Sequence, residues 1–152
     1  MGRDIPCSLG RGGIVAAKDK REGDGATPAG SHRIVGMLYR PDRLVRPATW
    51  ALPIRPSDVW SDDPTDPDYN LMARAPHGFR HERLYRADPL YDLILITDWN
   101  WPYAVKGRGS AIFVHCWRGP RYPTAGCVGF DRHDLIWIAA RIRHQTRLIV
   151  RH

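Results

Sequence analysis

Two residues in the last third of the chain are of the types that perform nucleophilic chemistry together. His115 ends the apolar run Ser110 to His115, and Cys127 follows twelve residues later, after a loop rich in Gly and Pro. The nucleophile in such chemistry is the thiolate, and a thiol ordinarily needs a nearby base to form it. A histidine beside the thiol accepts its proton and then returns one to the leaving group. A loop of this length can fold Cys127 back onto His115. Gly126 lets the backbone turn sharply and approach a substrate. Backbone N–H groups at Gly126 and Cys127 are then candidates to hold an oxyanion. The plain alternative is that Cys127 is a small buried hydrophobe and His115 a hydrogen-bonded strand end. If His115 activates Cys127, iodoacetamide should alkylate Cys127 faster than Cys7 or Cys116 near neutral pH.

Candidate substrate contacts surround the pair. Arg118 and Arg121 lie in the same loop and would clamp a carboxylate. Tyr122 can line the cleft, and Thr124 supports the turn through a local hydrogen bond. His81, in the run HERLY, and Tyr69, beside Asn70, belong to a long segment that can reach the site. Each has an ordinary structural reading as well: a solvated arginine, a packing aromatic, a satisfied histidine. Trp60 reads as an anchor and Cys7 as a bystander.

The other cysteine features argue against a metal. The count of three cannot complete a disulfide framework, and no C-x-x-C pair is present. His115 and Cys116 are neighbours on a predicted strand and so face opposite sides, which disfavours a compact zinc site. No cofactor is expected. The net charge of +7 concentrates anionic partners, among them nucleic acid, anionic membrane and a carboxylate-rich cell wall. The arginines are spread among aspartates with no dense basic tail, so nucleic acid is not the expected partner. A basic binding module remains the remote alternative, and its binding would weaken steeply with salt.

The elements that must position these residues read as a mainly β arrangement. At 152 residues the prior is one domain, 1–152, large enough to bury a core unaided. A composition of 43% apolar and 26% charged residues is ordinary for a globular protein. No stretch approaches the roughly 18 apolar residues of a membrane-spanning helix. Residues 1–22 carry charges throughout and lack the apolar core of a leader. Scattered Gly and Pro predict many loops. Strands are predicted at Ile14 to Ala17, Ser31 to Tyr39, Tyr91 to Thr97, Ser110 to His115 and Thr146 to Val150, with a hairpin-like link between the third and fourth. One helix is marked by Asp131 as its cap, Asp134 three residues on, and an apolar face of Leu135, Ile138, Ala139 and Ile142. Residues 40–90 read mostly as irregular loop, anchored by Trp60 and Tyr69.

His115, Thr124, Gly126, Cys127 and Val128 together resemble the active-site stretch of the L,D-transpeptidase catalytic domain family, also called YkuD. That family carries a His after an apolar strand, then a loop, then Ser/Thr-x-Gly-Cys and an apolar residue. Upstream, Gly23 to Gly30 reads GDGATPAG and resembles the family's Gly-Asp-Gly-x-Thr-Pro-x-Gly turn into a strand. The two motifs stand in the family's order, and the resemblance runs from Glu22 to Ile142. It implies a β-sandwich with a C-terminal amphipathic helix and long loops. It further implies a ping-pong reaction on peptidoglycan stem peptides: the thiolate attacks a donor peptide carbonyl, and an acceptor amine resolves the thioester. The Cys116 backbone carbonyl then takes the role of orienting the His115 ring, and a periplasmic location is expected. The chain differs from the usual pattern at Ala125, where a His is common, at Gly129, where Arg or Asn is common, and in the short His115–Cys127 loop. These differences resemble a short single-domain branch of α- and β-proteobacteria. That branch is associated with links from L-Ala at position 1 to diaminopimelate at position 3, in place of 3→3 links. The same differences leave open a carboxypeptidase or endopeptidase on this scaffold.

Overall fold

Two of the apolar runs become the centre of a sheet. In the computed structural model, which describes residues 2–152, the strands in chain order are β1 (Cys7–Ser8), β2 (Ile14–Val15), β3 (Thr27–Pro28), β4 (Gly30–Tyr39), β5 (Leu52–Pro53), β6 (Asp58–Ser61), β7 (Met72–Arg74), β8 (His81–Arg83), β9 (Leu93–Thr97), β10 (Phe113–Cys116), β11 (Val128–Phe130) and β12 (Arg147–Val150). One helix, α1 (Arg132–Ala139), lies between the last two, and short 3-10 turns cover Ala17–Asp19 and Pro89–Tyr91. The main sheet runs β1-β11-β10-β9-β4-β12, with β5 beside β4. Along that path every pairing is antiparallel except β10 with β11, which is parallel, with Val114 opposite Val128 and His115 opposite Gly129.

Both faces of this sheet are covered, and strand alternation divides the core in two. All five residues of β9, Leu-Ile-Leu-Ile-Thr, are buried. Leu93 and Leu95 join Val114, Cys116 and Val128 against Leu135 and Ala139 of α1. Ile94 and Ile96 join Phe113 on the opposite face, against Trp60, Leu84, Tyr91 and Cys127. Burying one such Leu, Ile or Phe side chain is worth about 1.5–3 kcal/mol. Truncating Leu95 or Phe113 to Ala would remove that and leave a cavity, at about 2–5 kcal/mol. The helix starts where its cap predicts: the Asp131 side chain accepts from the His133 N–H at 2.9 Å. It ends at Ala139, so Ile142 packs on the core from beyond it.

The segment 40–90 departs from its expected loop character. It contributes β5, and β6, β7 and β8 form a separate antiparallel sheet in the order β7-β6-β8. These strands have two to four residues, and all four of β6 are buried, so no alternation marked them. Trp60 fastens this sheet to the main one: its ring meets Phe113 edge-on at 5.0 Å, and its Nε1 donates to Asn70 Oδ1 at 3.0 Å. The layers are thus helix, main sheet and small sheet, a mainly β sandwich with one helix near its end. Near the N-terminus, the strand expected to reach Ala17 stops at Val15, where the chain turns into a 3-10 segment.

Candidate active site

β10 presents its residues alternately, so His115 stands on the small-sheet side and Cys116 on the helix side. The His115 ring meets Tyr91 edge-on at 5.3 Å. Its Nδ1 lies 2.7 Å from the Cys116 carbonyl oxygen. A carbonyl only accepts, so Nδ1 carries the proton and Nε2 keeps a free lone pair. Burial pushes the imidazole down to about 4, so the ring is neutral at pH 7.

Cys127 is carried by a loop that the upstream turn braces. Gly126 has φ +138°, and a Cβ there would sit 2.9 Å from the Ala26 carbonyl oxygen, so only glycine fits. Thr27 Oγ1 donates to the Gly126 carbonyl at 2.8 Å and accepts from the Gly10 N–H at 2.9 Å. Thr124 Oγ1 donates to the Cys127 carbonyl at 2.6 Å and accepts from the Gly126 N–H at 3.1 Å. Asp24 holds the turn itself, accepting from Lys20 Nζ at 2.7 Å and from the Ala26 and Arg21 N–H groups. Burial alone would raise its carboxyl, but these bonds outweigh it and hold it below the usual carboxylate range. The two sequence motifs are therefore one structural unit, in which Thr27 and Ala26 pack directly on the backbone before Cys127.

The thiol itself is buried and at rest. Cys127 Sγ donates to the Ala111 carbonyl at 3.0 Å and receives the Phe113 N–H at 3.3 Å. Burial, reinforced by the negative charge of Glu82, pushes it up to about 12. At neutral pH the pair is thus a thiol and a neutral imidazole, with the thiol directed at a carbonyl. Cys7 is exposed whereas Cys116 and Cys127 are buried, an arrangement that favours Cys7 over Cys127 for alkylation at rest.

A cavity of about 390 Å³ opens over the pair. Of the residues singled out from sequence, His115, Cys127, Arg118, Tyr122 and Thr124 line it. Arg121, His81 and Tyr69 do not. Arg121 is exposed on the same loop at φ +56°, off the cavity wall. The His81 ring packs on His77 at 5.6 Å, and its Nδ1 pairs with the Phe79 carbonyl at 2.7 Å. Tyr69 is a brace: its hydroxyl donates to Glu22 Oε2 at 2.5 Å and accepts from the Gly109 N–H at 3.0 Å. Burial and the Glu22 carboxylate push its phenol up. Gly126 is also corrected as an oxyanion donor, since its N–H already serves Thr124.

Sequence reasoning missed Glu82 and Tyr91. The Tyr91 hydroxyl donates to Glu82 Oε2 at 2.6 Å, and both residues line the cavity, as do Arg11 and Arg86. Burial raises both groups. Glu82 is the neighbour of His81 on β8, so it takes the opposite face of that strand. Alternation from a correctly placed β8 was the signal that could have found it. Among the described residues no cluster of metal-ligating side chains is present. The cavity wall carries a thiol, an imidazole and a carboxyl.

No curated protein and no solved structure matches the chain. A family model does: the L,D-transpeptidase catalytic domain model, YkuD, matches residues 2–150. The match takes in the braced Cys127 loop, β10 with its His115–Cys116 contact, and the cavity between them, and by it the chain belongs to the YkuD family of L,D-transpeptidase catalytic domains.

Proposed function

We propose that the protein is a cysteine-dependent L,D-transpeptidase that joins peptidoglycan stem peptides through a Cys127 thioester. One observation carries the reading: Cys127 and His115 open onto one cavity, and the Cys116 carbonyl holds the imidazole in the tautomer that leaves the Nε2 lone pair free. In this mechanism Sγ leaves the Ala111 carbonyl, turns to His115 and gives its proton to Nε2 as it attacks the donor peptide carbonyl. The Cys127 N–H holds the developing oxyanion. The imidazolium then protonates the departing amine, and a thioester remains. In the second half Nε2 takes a proton from the acceptor amine, the C–N bond forms, the C–S bond breaks, and the proton returns to sulfur. A neutral resting pair fits this sequence, because charge separates only when a carbonyl is present to receive the sulfur. Arg118, exposed at the cavity mouth, is placed for stem-peptide carboxylates. Stem peptides lie outside the cytoplasmic membrane, so the reading carries a periplasmic location.

The test is mass spectrometry of muropeptides incubated with the wild type and with Cys127→Ala. Cross-linked dimers made only by the wild type are the expected result, and fragmentation separates a 1→3 from a 3→3 link. Trimmed monomers without dimers would make the protein a hydrolase on this scaffold. Dimers that survive Cys127→Ala would end the thiol assignment.

A further inference from the structure

Behind the cavity, one buried side chain has every hydrogen-bonding position filled. Asn70 lies in the segment between β6 and β7 and is 2% exposed. Its Oδ1 accepts from Trp60 Nε1 at 3.0 Å and from the Ala111 N–H at 2.9 Å. Its Nδ2 donates to the Trp99 carbonyl at 3.0 Å and to the Asn100 carbonyl at 2.8 Å. A side-chain amide offers two donors and two acceptor positions, and all are used here. Asn70 thus ties β6 to the turn after β9 and to the segment that enters β10. It is not on the cavity wall.

The bond to Ala111 is the one that bears on the thiol. Ala111 has φ +52°, a left-handed conformation that an alanine keeps only when its surroundings impose it. It has no polar side chain of its own to support that conformation. So held, its carbonyl accepts from Cys127 Sγ at 3.0 Å. The Phe113 N–H donates to the same sulfur at 3.3 Å. A bond from the thiol to a carbonyl favours the protonated form, and a bond from an N–H favours the thiolate. The two backbone groups therefore pull the sulfur in opposite directions, and only the carbonyl depends on a strained residue.

We propose that Asn70 is a positioning residue that latches the nucleophile at rest: it holds Ala111 in the strained conformation whose carbonyl parks the Cys127 thiol. When Ala111 relaxes to negative φ, the carbonyl swings off the sulfur and the thiol is free to turn. The inference rests on the transpeptidase reading only in taking Cys127 as the nucleophile.

Iodoacetamide labelling across pH, read by peptide mapping, tests the latch, and Cys116 in the same molecule reports any general loosening. Asn70→Gly takes φ +60° without strain and removes only the side chain. It should label Cys127 faster than the wild type by roughly tenfold, the worth of one buried hydrogen bond. The Cys127 pH–rate curve should move to lower pH, and Cys116 should not change. Asn70→Asp keeps the Oδ1 acceptor and should stay close to the wild-type rate. Ala111→Gly takes the positive φ at no cost, which secures the latch, so Cys127 should label more slowly than in the wild type. This variant decides the matter even if Asn70→Gly does not fold. His115, Glu82, Tyr91 and Lys20, the titratable groups that bear on this thiol, are untouched in all three. An unchanged Cys127 rate in Asn70→Gly, a rise matched by Cys116, or equal rates in the Asn70→Gly and Asn70→Asp proteins overturns the latch. So does an Ala111→Gly protein that labels Cys127 as fast as the wild type or faster. Should the labelling pattern hold while no Cys127-dependent muropeptide product forms, the parent reading fails and the latch stands. Should Cys127-dependent dimers form without the pattern, the latch fails alone.

Discussion

The two faces of the main sheet each bury one thiol, and the difference between them shows what makes a cysteine chemically useful. Cys116 lies under α1 among Leu95, Val128 and Leu135, and burial pushes its thiol up to about 12. Cys127 on the other face is pushed up to about 12 as well, also by burial. Resting acidity therefore does not tell the two apart. The neighbours do: the helix face is an apolar seal, whereas the other face places an imidazole, a phenol and a carboxyl around an open cavity. A thiol kept neutral at rest becomes a nucleophile when a base and a carbonyl are brought to it.

The largest effects are expected at the thiol and the ring that face the cavity. Cys127→Ala should lower cross-linking by about 10⁴-fold or more, the scale seen when a nucleophile is removed. Muropeptide turnover measures this, and residual activity near wild type would put the nucleophile elsewhere. His115→Gln should lower turnover by about 10²- to 10⁴-fold, the usual worth of a positioned base.

His115 also gives the cavity face a pH dependence of its own. Its folded value of about 4 lies below the unfolded value of 6.5, so the unfolded chain binds more protons between them. Its contribution is full above pH 6.5 and is lost as pH falls toward 4. The loss is on the order of 3 kcal/mol. Thermal melts of the wild type should fall across that window, and His115→Gln should flatten the decline. A decline of the same depth in the variant would assign the acid sensitivity to other groups.

Smaller effects follow. Gly126→Ala forces a Cβ against the Ala26 carbonyl at positive φ, which should cost about 1–3 kcal/mol in denaturant melts and slow turnover. Cys116→Ala keeps the carbonyl that holds His115, so its main cost should be stability, about 1–2 kcal/mol for a small buried side chain. Turnover lost without loss of stability would show that the helix-side thiol takes part. Finally, peptide mapping after brief iodoacetamide treatment should find Cys7 labelled first and the two buried thiols slowly. Fast labelling of Cys127 would mean that its thiol leaves the Ala111 carbonyl without substrate.

The parts legible in sequence were those encoded locally. The capped helix, β4, β9, β10 and β12 each carry their own period or apolar run, and Thr-Ala-Gly-Cys is a contiguous motif. The parts that were not legible depend on pairing across distance. β6 to β8 are too short for a period to register, and β6 is buried on both faces. Glu82 reaches the cavity only because β8 pairs with β6 in a register that sets Glu82 opposite Trp60. His81, one residue away on the same strand, lies on the other face and off the cavity. Arg118 and Tyr122 were legible because they share a loop with the thiol, and so was Arg121, which that same proximity misplaced.

The parallel pairing of β10 with β11 bears on how this molecule can change. Parallel neighbours need a crossover of roughly a dozen residues, commonly built around a helix. Here the crossover is residues 117–127 alone, with no helix, near the minimum such a connection permits. Deletion within it would pull Cys127 out of register with His115. Insertion at its exposed crest, Arg118 to Tyr122, is open to solvent and costs only about 0.6 kcal/mol per doubling of loop length. The segment can therefore lengthen but not shorten. Natural drift or engineering would reshape the cavity mouth by adding residues there, while the sheet kept the sulfur and the ring in place.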